Sequence, residues 1–488
     1  MLLLFNLAFT PAVTAQTLAN LYSFTSDDSP PYTNRDGAHP GAGLIVSSNT
    51  LYGTTYDGGS SGNGSVFRVH LDSSGFTNLY SFSGPYANHS SVTNKDGANP
   101  LAGLVLSGVT LYGTASGGGA SGNGTIFAVN TDGKGFKNLH SFAARSRSAP
   151  STNTDGFWPR AGLVLLGNTL FGTATAGGKS GMGAVFAIHT NGTGFTNLHS
   201  FSAASTGLIF TNRDGAVPQA GLILSSNTLY GTASRGGVFG QGAVFRLNTN
   251  GTCFTNLHNF SASAQNPASE LTNSDGGMPL AGLSLLGHAL FGTTESGGIY
   301  GPGTVFAINT DGTCFTNLHN FTLPDASGTN RDGAFPEAGL TLSGNTLYGT
   351  ADVGGANNGG VVFAINADGA GFTNLFSFGS STGLYPDAGL IQVGNTLYGT
   401  TSEGGSWSAG EIFSLPLPEF PPLKITVSSA SIVLTWPAGA THYTLLSAPD
   451  LLSATIWRTN SLSPVIINGQ NVLTNSISAA QQYYRLSQ

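Results

Sequence analysis

The sequence predicts an all-β protein: a seven-bladed β-propeller of four-stranded blades closed by its N-terminal strand, followed by a small C-terminal β-sandwich. Three observations carry this. The phrase Leu-(Tyr/Phe)-Gly-Thr recurs with its leucine at Leu51, Leu111, Leu170, Leu229, Leu290, Leu347 and Leu397, at spacings of 60, 59, 59, 61, 57 and 50 residues. A period near sixty is too long for a simple solenoid coil and suits one four-stranded unit per copy. The two ends of the repeat are also out of phase, so that the first fragment completes the last.

Four strand signals fill each period. In the first copy they are AGLIVSS (42–48, strand A), TLYGTT (50–55, B), SVFRVHL (65–71, C) and FTNLYSF (76–82, D). Each is short, β-branched or aromatic, and bounded by Gly, Asn, Asp or Ser. A tight Ser-Asn or Gly-Asn pair joins A to B, and Asn-Thr-Asp-Gly or Asn-Thr-Asn-Gly joins C to D, which is hairpin chemistry. A D-like phrase, NLYSF (20–24), precedes any A strand, while the last copy stops after its C strand at 411–415. Closure by the N-terminal strand leaves no open edge. Within LYGT the leucine and glycine share one face and the aromatic and threonine the other. The leucine is therefore expected in a core between blades, with the glycine admitting a neighbouring strand or ring. Tyr and Phe exchange at the second position, so the phrase needs no phenol and reads as architecture.

Four segments follow. Residues 1–16 read as a secretory signal without its basic start: an apolar run, a proline, then small residues before the cut. Residues 17–416 are the propeller. Residues 417–422 are a proline-rich linker, and 423–488 alternate as strands of a sandwich. No later run reaches the roughly 20 apolar residues of a membrane helix, so an exported, extracellular or surface protein without a transmembrane segment is expected.

Only 8 % of residues are charged and the net charge is −7, against roughly 25 % charged residues in an average domain. Sixteen basic residues spread thinly offer no footprint for nucleic acid. Cys253 and Cys314 occupy one turn position in adjacent copies, where other copies have glycine. Equivalent points on neighbouring blades lie beyond disulfide reach, so both are expected as free surface thiols in a monomer.

The copies of D-G-x-x-P-x-A-G-L, L-Y-G-T and G-G-x-x-G-x-G-x-V-F over residues 18–416 resemble the GloVer (Gloeo-Verruco) tandem-repeat family of exported bacterial proteins. LTWP (434–437), Trp457 and YYRL (483–486) look like a fibronectin-like tail module. The resemblance implies export and a surface setting; it implies no activity, and no functional residue follows from it.

Alternating strand direction puts the A–B and C–D turns on one face of the disc and the B–C and D–A loops on the other. On the second face the copies differ. The pair before Gly-Gly in the B–C loop brings charge at Asp57, Arg235, Glu295, Asp352 and Glu403, and the residues after it bring Lys179, Phe239, Tyr300 and Trp407. Variable loops on a rigid scaffold are where binding is carried; aromatics beside carboxylates suit sugars or another protein. The expected function is non-catalytic recognition of glycan or protein, with Asp57, Arg235, Phe239, Glu295, Tyr300, Asp352, Glu403 and Trp407 as ligand-binding residues. A carbohydrate-active hydrolase or lyase, with Glu295 and Asp352 as acid and base near the channel, and a structural matrix protein are the alternatives.

The D–A loops repeat Thr-Asn-x-Asp-Gly, with carboxylates at Asp36, Asp96, Asp155, Asp214, Asp275 and Asp332. They are candidate calcium ligands, although an Asp-Gly turn in which the carboxylate bonds its own backbone explains them more simply. His140, His199, His258 and His319 share one D-strand position with Tyr22, Tyr80 and Phe376, and exchange with Phe predicts a packing role only. No metalloprotease helix, nucleophile elbow or phosphate loop is present.

Overall fold

The computed structural model describes residues 17–26, 32–84, 93–147, 149–205, 210–266, 271–325, 329–418, 423–427, 431–437, 444–448, 458–459, 462–476 and 483–487. The expected signal segment, most of the linker and Trp457 lie outside the described residues. The chain clusters into two compact units, Thr17–Leu415 and a unit that includes Pro416–Gln488. Among the described residues there is no helix, and thus none long and apolar enough to cross a membrane.

The larger unit is built of four-stranded antiparallel sheets arranged like propeller blades. They are numbered 1 to 7 here by the order of their LYGT strands. In sheet 1 the strands are Ile45–Ser47, Thr50–Thr55, Ser65–His70 and Thr77–Ser81. Sheet 7 takes its fourth strand from the start of the chain: Ala19–Ser23 pairs antiparallel with Glu411–Pro416, as the phase offset requires. The B, C and D strands match the sequence reading within a residue. Strand A is shorter than expected, because Ala42, Gly43 and Leu44 leave the ladder. Their backbone serves the neighbouring sheets instead.

Two contacts show this. The Thr of each LYGT donates its hydroxyl to the Ala carbonyl of the next sheet's Ala-Gly-Leu, as Thr54 does to Ala102 at 3.1 Å and Thr232 to Ala281 at 2.9 Å. Thr400 of sheet 7 donates to Ala42 of sheet 1 at 3.3 Å. The Gly of Ala-Gly-Leu faces the equivalent glycine of the preceding sheet: a Cβ on Gly103 would stand 3.0 Å from the Gly43 carbonyl oxygen, and one on Gly43 would stand 3.4 Å from that of Gly389.

Apolar cores lie between consecutive sheets, since each sheet has two apolar faces. Leu51, Phe67 and Val69 of sheet 1 pack with Tyr398 and Ile412 of sheet 7. On the opposite face Tyr52, Val66 and Phe82 pack with Leu111, Phe127 and Val129 of sheet 2. The LYGT glycine is required by crowding: a Cβ on Gly53 would lie 2.5 Å from Phe67 Cζ and 2.8 Å from Leu44 Cδ2. Every D strand carries a one-residue bulge at its leucine. In sheet 1 Tyr80 pairs with Val66 and Asn78 with Phe67, leaving Leu79 between. Bulges sharpen local twist, and this one sets the polar ring of the D strand beside the following loop.

The smaller unit has one sheet of Lys424–Val427, Ser431–Pro437, Gln470–Ser476 and Val465–Ile467, and a second of Arg458–Thr459, Thr444–Ala448 and Tyr483–Ser487. Leu434, Trp436, Leu445 and Leu473 form its core.

Candidate functional site

The repeated aspartates are tied down within their own loops. Asp214 accepts from His199 Nε2 at 2.9 Å, from the Ser202 amide at 3.0 Å and from the Ser202 hydroxyl. Asp96 accepts from the Tyr80 hydroxyl at 2.7 Å and from the Ser83 amide and hydroxyl, both at 2.8 Å. Asp36, Asp155, Asp275 and Asp332 take the same kind of donors from Tyr22, His140, His258 and His319. Burial alone would raise Asp214 and Asp275, but the histidine and serine donors outweigh it and hold both below the usual carboxylate range. These six groups stand one per loop, and among the described residues no three His, Cys, Asp or Glu side chains are placed to hold a metal ion.

The histidines therefore do more than pack, which corrects the sequence reading. The His199 ring stacks on Phe254 of the next sheet at 3.8 Å while its nitrogen serves Asp214. Tyr22 stacks likewise on Phe76 at 3.6 Å. The signal was present in the sequence. Phe376, the one apolar ring in the series, precedes residues 379–386, the one D–A loop without the aspartate, so ring donor and acceptor are lost together. The loop asparagine completes the unit: Asn212 Oδ1 accepts from the Gly215 and Gly237 amides at 3.0 and 2.8 Å, fastening the D–A loop to the Gly-Gly of the B–C loop.

On this frame each D–A loop presents one residue that sequence reasoning passed over, the one before the loop proline. It is His39, Asn99, Trp158, Val217, Met278, Phe335 or Tyr385, always in the left-handed region with φ between 54° and 59°. The backbone reason is plain. Its amide bonds the preceding sheet's B–C loop and its carbonyl accepts from its own: Phe335 N to Pro302 O at 3.0 Å, Asp352 N to Phe335 O at 3.2 Å. A left-handed residue favours glycine, above all where the alternative is β-branched Val217. In a chain with 71 glycines this position is never glycine and never the same residue twice. Side chains kept at a conformational cost point to a functional surface.

Two residues further on is a second variable position: Gly41, Leu101, Arg160, Gln219, Leu280, Glu337 and Asp387. Neighbours in this series meet across sheets, with Arg160 within 3.5 Å of Gln219 and Asp387 Oδ2 3.6 Å from where a Cβ on Gly41 would lie. Here the charge of a charge-poor protein collects. Glu337 and Asp387 join Glu295, Asp352 and Glu403 of the B–C loops of sheets 5 to 7, close enough for their charges to act on one another. Burial, reinforced by these neighbours, pushes Glu337, Asp352 and Asp387 each up to about 7. Burial also raises Glu295, opposed by the Arg235 guanidinium. The Oδ1 of Asp387 and the Oε2 of Glu295 are shielded from solvent and accept no hydrogen bond from another protein group.

Of the expected ligand-binding residues, Glu295, Asp352 and Glu403 thus fall together with Arg235 beside them. Asp57 stands with other partners, 3.5 Å from His39 Nδ1 and 3.2 Å from Asn99 Nδ2. Phe239, Tyr300 and Trp407 are exposed. They belong to the stretch after Gly-Gly, which is fastened to the D strand: Val238 N and Ile299 N bond the Asn259 and Asn320 side chains. The two variable slots of the B–C loop therefore lead opposite ways along the blade, one to the A segment and one to the D strand. The sequence had treated them as one surface. Cys253 and Cys314 are free, exposed and left-handed, with φ of 57° and 56°.

Known proteins were compared with this chain. The Gloeobacter/Verrucomicrobia repeat family matches residues 86–279 and 269–424. No curated protein matches. Among solved structures, similarity is found to a nidogen/laminin complex (14 % identity, 67 % of this chain and 93 % of that one, TM-score 0.35). It is found also to a putative 6-phosphogluconolactonase from Bacteroides uniformis (14 %, 90 % and 98 %, 0.42) and an oligogalacturonate lyase in complex with manganese (10 %, 85 % and 99 %, 0.44). The family match spans well over half of the chain, and the protein belongs to the Gloeobacter/Verrucomicrobia repeat family.

Proposed function

We propose that the seven sheets form a closed seven-bladed propeller, and that the chain is an exported, surface or extracellular recognition module that binds glycan or protein through the face carrying its B–C and D–A loops. Closure is supported by the sheet 7 to sheet 1 contacts, where Thr400 bonds Ala42 and Tyr22 stacks on Phe76. The smaller unit is read as a fibronectin-like sandwich. The observation that carries the recognition reading is the gathering of Glu295, Glu337, Asp352, Asp387 and Glu403 from five variable loops of three sheets, close enough for their charges to act on one another. Carboxylates gathered in variable loops on a rigid frame supply hydrogen-bond acceptors and charge for a ligand.

A second reading, a carbohydrate-active hydrolase or lyase, draws on the same groups. A carboxyl titrating about 7 serves equally as general acid or base. The test is a glycan and protein array probed with the intact chain, with and without calcium, followed by product analysis on every hit. Binding without turnover, lost in Asp352→Asn/Asp387→Asn, supports recognition. Sugar products make it an enzyme, and binding that ignores the double variant moves the site elsewhere.

A further inference from the structure

We infer that an apolar row beside the D strands of sheets 4 and 5 is the contact between two copies of this chain related by a two-fold axis. This departs from the monomer expected from the sequence. The row lies apart from the acidic loops, and the inference does not depend on what those loops bind.

The two residues after Gly-Gly are small or polar in sheets 1, 2, 3 and 6, as in Ser60-Ser61 and Ala120-Ser121. Sheets 4 and 5 alone carry an aliphatic and then an aromatic side chain there, Val238-Phe239 and Ile299-Tyr300. Hydrogen bonds set both pairs into one row. Val238 N is held at 3.2 Å by Asn259 Oδ1 at the end of its D strand, where the connection to sheet 5 begins. That connection ends at Asn273, whose amide bonds the Gly298 carbonyl at 3.2 Å, directly before Ile299. Leu271 stands between, in the short hairpin of Ala264–Gln265 and Leu271–Thr272. At one end Phe210 comes just before Asn212, whose amide bonds Gly237 O at 3.1 Å. At the other, Leu323 comes just after Asn320, whose side chain holds Ile299 N at 3.1 Å. All seven side chains are between 37 % and 57 % exposed.

The order of the row is symmetric: one apolar residue, an aliphatic-aromatic pair, Leu271, a second such pair, one apolar residue. Half a turn about Leu271 therefore lays each pair on the other copy's unlike pair and each end on the opposite end, the self-complementarity that an isologous contact needs. Charge agrees. Arg213 stands exposed beyond Phe210, and Asp325 stands exposed beyond Leu323, so the same rotation sets opposite charges together at both ends. Area points the same way: at roughly 150–250 Å² for a whole aromatic side chain, seven large side chains about half exposed present on the order of 600 Å². That is the upper end of the roughly 300–600 Å² patch a monomer leaves uncovered, and with a polar margin it approaches the ~800 Å² per partner of a specific interface. Val238, Leu271 and Ile299 offer a sugar neither a ring face nor a hydroxyl, whereas a second copy of the row covers them.

Sedimentation velocity of the full chain from about 1 to 100 µM, the range in which an interface of modest size assembles, tests this, with a reductant present so that Cys253 and Cys314 stay free. The variants are Phe239→Ser/Tyr300→Ser, which restores the serine that sheets 1 to 3 carry in that slot, and Leu271→Ser as a milder change. The control is Val109→Asn, an exposed residue on an A–B turn that is asparagine in other copies, and thermal melts verify folding. A reversible dimer of the wild type that weakens about 100-fold or more in the double variant, weakens in Leu271→Ser and is unchanged in Val109→Asn is the expected result. A wild type that stays monomeric to the highest concentration, a dimer as tight in both folded row variants, or equal weakening in Val109→Asn overturns it. Growth past the dimer with concentration overturns the two-fold arrangement.

Discussion

Replacing Asp352 with Asn should stabilise the protein at alkaline pH and leave it unchanged in acid. Burial and the charges of Asp387, Glu295 and Glu403 raise Asp352 from 3.8 to about 7, and its charge in turn raises Glu337. A carboxyl whose pKa is raised by folding binds its proton more tightly in the native state. Its contribution is fully present below the unfolded value and is lost as pH rises through the folded one. That rise from 3.8 to about 7 corresponds to ~4 kcal/mol at most; relaxation of the coupled neighbours reduces this to about 1–4 kcal/mol. Denaturant unfolding of the wild type and Asp352→Asn at intervals from pH 4 to 8.5 measures it. The wild type should lose stability across that range and the variant should lose less, so that the two curves meet near pH 4 and separate by pH 8. An Asp352→Asn protein less stable than the wild type at pH 8 would show that hydrogen-bond donors compensate the carboxylate and that burial and like charge do not dominate it.

Other expectations follow from the frame. His199→Phe keeps the ring stack on Phe254 but leaves Asp214 without its imidazole donor, and should cost about 1.5–3 kcal/mol. With Asp214→Ala in the same chain the loss should fall short of the sum by about 1–3 kcal/mol, and additive losses in denaturant melts would refute the pairing. Because Asp214 is held below its ordinary value, that coupling should be present above about pH 4 and disappear as pH falls further. Gly231→Ala should destabilise by roughly 1–3 kcal/mol, since its Cβ would sit 2.7 Å from both Leu222 Cδ2 and Phe245 Cζ; a neutral melt would mean the sheets are not packed this closely. Cys253→Gly should raise stability by up to about 1 kcal/mol by removing a left-handed side chain, a small upward shift in melting temperature that Cys253→Ala should not reproduce.

Much of the frame was legible because the sequence repeats its own physics. LYGT announced a glycine under an aromatic ring, and Gly53 under Phe67 is that contact. The phase offset announced that residues 19–23 complete the last sheet, and they do. The site was half legible. Glu295, Asp352 and Glu403 stood out as charges in a charge-poor chain, but Glu337 and Asp387 hid inside the repeated D-G-x-x-P-x-A-G-L, where the variable letters were taken as spacers. Glu295 and Glu403 lie far apart in the chain, and both act on Asp352 only because successive sheets pack against one another, a property of twist and packing rather than of any local pattern. The histidines were misread for a related reason: exchange with Phe376 looks free until the loop that follows it, 379–386, is seen to lack the aspartate.

Hydrogen exchange on the intact chain with and without the ligand found on the array, read loop by loop, tests directly whether the acidic loops form the binding face. Slowed exchange is expected in the loops around Glu295, Glu337, Asp352, Asp387 and Glu403, with the A–B and C–D turns unchanged. Protection confined to those turns, or to the exposed stretches at Tyr300 and Trp407 with the acidic loops untouched, would contradict that placement of the binding face.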